Sequence, residues 1–194
     1  MEQYTFYALI SRMKLVERWG LMRSIHRENL MEHTCEVAML GQALAIIANE
    51  KFNKKINADY VSTLALYHDM AEVVSGDLPT PVKYYNKDIM ESYKAIENNI
   101  IEQMLEKVPN FTKAIYTSYL KPDENSEEFQ IMKIADKLSA YVKCVEEMAG
   151  GNKEFELAKE NLEKILVAYW EKYPELKFFM QKCLPSYGKQ LDLL

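Results

Sequence analysis

The chain has 194 residues, 48% of them apolar and 27% charged, so it can bury a sizeable core and is not disordered as a whole. Six glycines and six prolines are too few turn-formers for a many-stranded sandwich or barrel and point to helices. A net charge of −5 excludes a global pull toward a nucleic-acid polymer, although residues 1–27 carry Arg12, Lys14, Arg18, Arg23 and Arg27 against Glu2 and Glu17. That locally basic end suits a small anionic ligand, or is a solvated helix face. No apolar run reaches the ~18 residues of a membrane span, so no membrane partner is expected. The opening segment, with Glu2 and Arg12 in it, fails as a signal peptide. Cys35, Cys144 and Cys183 are odd in number and lack a CxxC, which predicts free thiols in a cytoplasmic protein.

The apolar spacing is helical almost throughout. Phe6, Leu9, Met13 and Val16 predict a first helix ending near Trp19-Gly20. Asn29 is placed to cap a second, with Glu32 reaching back to the cap, and Val37, Leu40, Leu44 and Ile47 form its apolar face. His33 lies on that face. A third helix is predicted from Asn57 through Val61, Leu64, His68 and Ala71 to a stop at Gly76. A fourth carries Ile89, Tyr93, Ile96, Ile100 and Met104. A fifth opens at Ser126 with Glu127 and Glu128 in its first turn and ends at Gly150-Gly151. A sixth carries Phe155 to Tyr169, and a short last helix follows Pro174. The expected fold is all-α: six or seven helices in one domain over residues 1–194.

Asp69 is the first residue that this pattern does not explain. It is a carboxylate within the apolar string LALYHDMAEVV, and His68 is its only basic neighbour in the local turn. A buried carboxylate is costly unless it is paired or binds a cation. Asp136 repeats the anomaly in IMKIADKLSAYV, on a face shared with Met132, Ser139 and Ala140. His33, His68, Asp69 and Asp136 therefore offer two imidazoles and two carboxylates, a mixed N/O set suited to a first-row divalent ion with positions left open. A helical histidine is as often an ordinary core residue, and spacing alone leaves both readings standing. Glu72 follows one turn after His68 and Asp69, where a carboxylate can move protons, or can simply be a solvated acid. The Gly76-Asp77-Leu78-Pro79-Thr80-Pro81 loop is stiffened by two prolines, with Asp77 and Thr80 as polar groups for a sugar or phosphate. Arg18 offers a fork for phosphate oxygens and Trp19 a ring for a base. No GxSxG, Walker, GxGxxG or HExxH motif occurs, and Cys35 sits two residues from His33, on a divergent face.

The order His33, His68-Asp69, Asp136 resembles that of the HD-domain metal-dependent phosphohydrolases. The longer strings SRMKLVERW, LMRSIHRENLMEHT, YHDMAEVVSGDLPTPVKYYN, KIADKLSAYVKCVEEMAGGNKEF and LPSYG are similar to the YfbR-type bacterial 5′-deoxynucleotidases over nearly the whole chain. One departure is Met31, where relatives carry a small polar residue. The resemblance implies an HD-type helical bundle, a homodimer, and removal of the 5′-phosphate from deoxyribonucleoside monophosphates with ribonucleotides disfavoured. It implies His33, His68, Asp69 and Asp136 as ligands of one divalent transition metal ion (cobalt, manganese, copper or zinc). Glu72 matches the catalytic acid/base. Arg18, Trp19, Asp77, Leu78, Pro79 and Thr80, together with the ligands His33, Asp69 and Asp136, match the substrate contacts. Two other readings use the same residues: an HD phosphodiesterase or nucleotide pyrophosphohydrolase, and a non-catalytic nucleotide-binding helical protein.

Overall fold

The computed structural model describes residues 3–83 and 85–194, the side chain of Thr80 excepted. The α-helices are α1 (Phe6–Ile10), α2 (Leu30–Phe52), α3 (Ala58–Tyr67), α4 (Glu72–Ser75), α5 (Thr80–Lys83), α6 (Lys87–Leu105), α7 (Lys113–Leu120), α8 (Glu127–Ala149), α9 (Glu156–Ala168) and α10 (Pro174–Lys182). Among the described residues no strand forms, and one antiparallel bridge pairs Glu17 with Asn29. The fold class is all-α, as expected. None of these helices is long and apolar enough to cross a membrane.

The chain forms two compact units. The first comprises the segment up to Met22, Arg27–Thr34 and Tyr67–Asp123. Its core is Phe6, Met13, Leu30, Met70, Ile100, Ile101, Met104, Leu105 and Leu120. Phe6, Tyr67, Tyr116 and Tyr119 add edge-to-face and stacked ring contacts. The second comprises Arg23–His26, Cys35–Leu66 and Glu124–Leu194. Its core joins Val37, Leu44, Val61, Leu64, Ile131, Leu138, Val142, Leu166 and Leu176. At Gly41 a Cβ would stand 2.9 Å from Val61 Cγ1 and 3.5 Å from Ala135 Cβ, so glycine there lets α2, α3 and α8 approach closely.

The helix starts follow the capping chemistry of the sequence. Asn29 Oδ1 accepts from the amides of Met31 and Glu32, and Glu32 Oε2 accepts from Asn29 N at 3.2 Å, a reciprocal capping box. Met31 leaves that cap intact because only its backbone takes part. Ser126 Oγ accepts from Phe129 N at the start of α8.

Three expectations are corrected. The first helix stops at Ile10, continues as a 3₁₀ turn over Ser11–Leu15, and is extended at Val16. The reason is a competing partner: Leu30 N donates to Val16 O and Arg18 N to Glu28 O, each at 2.9 Å. The third helix breaks after Tyr67, where i→i−3 bonds from Met70 N and Glu72 N tighten the turn that carries His68 and Asp69. Helix α7 was not expected at all. Its sequence KAIYTSYL is rich in β-branched and aromatic residues of modest helix propensity, and burial of Leu120 and packing of Tyr116 compensate.

Glu147 ties an irregular segment to α8. Its buried carboxylate accepts from Ile25 N, His26 N, Asn152 Nδ2 and Lys143 Nζ at 2.7–3.0 Å. Burial alone would raise its pKa, but these donors outweigh burial and hold it at about 2. A depressed folded pKa stabilises above the unfolded value of 4.5, and that contribution is lost as pH falls toward about 2. Glu147→Ala is expected to cost on the order of 3–5 kcal/mol, as for other broken buried pairs. Urea unfolding measures it, and an unshifted midpoint would show that the segment needs no such anchor.

Candidate metal centre

The capping box starts α2 at Leu30, which puts His33 one turn in, fully buried. The tightened turn after Tyr67 presents His68 and Asp69 to it. His33 Nε2 lies 3.7 Å and His68 Nε2 2.9 Å from the same oxygen, Asp69 Oδ2. The two imidazole centroids are 5.4 Å apart. One ligand atom from each of His33, His68, Asp69 and Asp136 lies within 4.8 Å of the others. Asp136 Oδ2 also receives Lys133 Nζ at 3.1 Å. Two imidazoles and two carboxylates at this spacing match the donor set of a first-row divalent ion.

Around these donors lie groups suited to an anionic ligand. Arg18 Nη1 is 3.8 Å from Asp69 Oδ2, and its Nε is 3.6 Å from Glu28 Oε2. Trp19 has a left-handed backbone, with φ of 58°, and its Nε1–H donates to Glu28 Oε2 at 2.7 Å. Glu28 Oε1 in turn lies 3.5 Å from His33 Nδ1. Burial opposes the charge on Glu28, but His33, Arg18 and the indole N–H hold its pKa below the ordinary carboxylate range.

Glu72 opens α4 and is 5% exposed, with Oε2 making no hydrogen bond. Burial, then the charges of Asp69 and Asp77, push its pKa up to about 9, against the opposing pull of Lys83 and Arg18. Lys83 Nζ stands 3.9 Å from Glu72 Oε1 and donates to Glu97 at 3.1 Å. Asp77 is also raised, by burial and by Asp69, with Arg18 pulling the other way. Its loop leaves α4 through Gly76 at φ 75°, and Tyr93 Oη donates to Gly76 O at 2.9 Å. Leu78 and Pro79 are half-buried in the same loop, and Pro79 O accepts from Val82 N and Lys83 N. The expectation for the Thr80 side chain lies outside the described residues.

Of the residues that the sequence singles out, His33, His68, Asp69 and Asp136 meet as candidate ligands, and Arg18, Glu72 and Asp77 interact with Asp69 through charge. Glu28 and Lys83 are not among them. Glu28 is an acid directly after the basic segment, and that break in charge was the available signal.

A family model described as "5′-deoxynucleotidase YfbR-like" matches residues 5–187. The chain belongs to this family. It is 46% identical over 193 residues to a 5′-deoxynucleotidase of Enterobacter sp. (strain 638), covering 99% of this chain and 96% of that one. Against the 5′-deoxynucleotidase YfbR of Salmonella arizonae it is 45% identical, with the same coverage of both chains. Among solved structures, an HD-domain phosphohydrolase from Listeria innocua superimposes with a TM-score of 0.83 at 22% identity, covering 96% of this chain and 90% of that one. That likeness places the fold among HD-domain bundles, and the His/Asp cluster of this chain can hold a single divalent ion.

Proposed function

We propose that the protein is a metal-dependent 5′-deoxynucleotidase, which hydrolyses deoxyribonucleoside 5′-monophosphates to deoxynucleosides and phosphate. The observation that carries this reading is the convergence of four ligand atoms from His33, His68, Asp69 and Asp136 within 4.8 Å. The likeness to 5′-deoxynucleotidases of Enterobacter and Salmonella supports the substrate class.

A divalent ion held by those four residues supplies Lewis acidity toward a phosphoryl oxygen and toward water. The chain's own groups do the rest. Arg18, beside Asp69, is placed to neutralise charge that builds on the phosphoryl oxygens, a contribution of roughly 2.7–4 kcal/mol in sites of this kind. Trp19 offers its ring face to the nucleoside. The exit through Gly76 carries Asp77, Leu78 and Pro79, which this reading assigns to the sugar side of the substrate. In the reaction water adds to phosphorus, the P–O5′ bond breaks, and the leaving 5′ oxygen needs a proton. Glu72, protonated in its buried position, gives that proton and recovers one from the attacking water.

The match of a single family model across residues 5–187 supports one catalytic domain rather than two independent ones. The homodimer and the cytoplasmic setting belong to the same reading. The family resemblance supports the first, and three cysteines without a disulfide support the second.

A panel of dAMP, AMP, 3′,5′-cyclic AMP and dATP, read by free phosphate and nucleotide products, tests the function. Phosphate release is expected from dAMP, weak from AMP, abolished by chelator and restored by cobalt or manganese. Hydrolysis confined to cyclic AMP or to the anhydride of dATP would make the protein a phosphodiesterase or pyrophosphohydrolase. No turnover of any substrate with bound metal would leave a binding protein.

A further inference from the structure

Glu28 stands outside the ligand set, yet both of its oxygens are committed. Oε2 accepts from the indole N–H of Trp19 at 2.7 Å and lies 3.6 Å from Arg18 Nε. Oε1 faces His33 Nδ1 at 3.5 Å, while the opposite nitrogen of that ring faces Asp69. An ionised carboxylate only accepts, and an indole nitrogen only donates. Nδ1 of His33 is thus the nitrogen that faces the carboxylate shared with Trp19, and Nε2 the one that faces Asp69 and the ligand set. The backbone holds these side chains in register, because Arg18 N donates to Glu28 O and Leu30 N to Val16 O, each at 2.9 Å.

We propose that Glu28 is a positioning residue that couples the metal-facing imidazole of His33 to the indole of Trp19 through one shared carboxylate. Metal occupancy and the pose of the nucleoside-facing ring are then linked, and by reciprocity each affects the other's binding. The proposal rests on the metal reading above, and it is tested without substrate.

Glu28→Gln replaces two acceptor oxygens by one and adds an amide donor, so it cannot present an oxygen to both ring nitrogens in the same pose. The protein has two tryptophans, and Trp170→Phe leaves Trp19 as the sole indole emitter. In that background, zinc, which is spectroscopically silent, is titrated into metal-free protein by calorimetry and by fluorescence. The parent is expected to change its Trp19 emission as zinc saturates. With Glu28→Gln, zinc affinity is expected to fall about 10–100-fold and the emission response to vanish even at saturation. Retention of either the affinity or the response in a folded variant overturns the proposal. Should Glu28→Gln fail to fold, Trp19→Phe asks the same question from the other end. Zinc affinity is expected to shift about fivefold or more although Trp19 offers no ligand atom, and an unchanged affinity overturns the coupling. Failure of the parent to bind zinc removes the metal reading and this proposal with it. Zinc binding with the expected response but no turnover of dAMP removes only the nucleotidase reading.

Discussion

Asp69→Ala is expected to leave the protein without its metal and with phosphate release from dAMP reduced about 10³-fold or more, the equivalent of some 4 kcal/mol of lost transition-state stabilisation. The size of the effect follows from how many groups use one oxygen. Asp69 Oδ2 is approached by His33 Nε2, His68 Nε2 and Arg18 Nη1 at 2.9–3.8 Å. Truncation removes a ligand, the anionic partner of both imidazoles and the group that aims the guanidinium. It also removes a charge that raises the pKa of Glu72 and of Asp77. The metal-free variant is therefore expected to melt no lower than metal-free parent, which separates lost chemistry from lost folding. Elemental analysis after purification, with the dAMP assay alongside, checks both parts. A full equivalent of metal with parental turnover would remove Asp69 from the ligand set.

Glu72→Gln is expected to keep its metal and to lose about 10²–10⁴-fold in rate, the usual worth of a positioned proton donor. Its pH dependence gives a second, independent reading. Burial holds the folded pKa at about 9, above the ordinary 4.5, so the folded chain retains a proton that the unfolded chain has released between those values. The contribution of Glu72 to stability is thus fully present below 4.5 and is lost as pH rises to about 9. In chelator, the melting temperature of the parent is expected to decline across that window relative to Glu72→Gln, which has no proton to lose there. A dication beside Asp69 pulls the same pKa down, so turnover of the loaded enzyme falls at a lower pH than the metal-free melting curve. Parallel melting curves for the two proteins would show that Glu72 is not held protonated, and unchanged turnover would deny it a role in proton transfer.

Much of this was visible in the amino acids. The stripe from Val37 to Ile47, the Asn29–Glu32 capping box and the Ser126 start of α8 specify helices by local rules that tertiary contacts do not override. His68 and Asp69 were conspicuous because a charge in an apolar string needs a partner. What escaped notice was decided at long range. The early end of α1 follows from pairing with residues 28–30, which no local propensity reports. The turn through His68 and Asp69 replaces helix with the tighter bonds of Met70 N and Glu72 N, which the helical spacing of the apolar residues does not announce. Glu28 and Lys83 look like ordinary surface charges until folding sets one against Trp19 and His33 and the other against Glu72.

The backbone of Trp19 occupies a region that side chains other than glycine rarely adopt, at roughly 1–2 kcal/mol. Nothing in the hydrophobic core needs a large aromatic at that bend, and the neighbouring Gly20 would tolerate the same conformation at no steric cost. Backbone strain of that order therefore sits beside Glu28, Arg18 and His33, in the polar cluster, and not in the packing of the core.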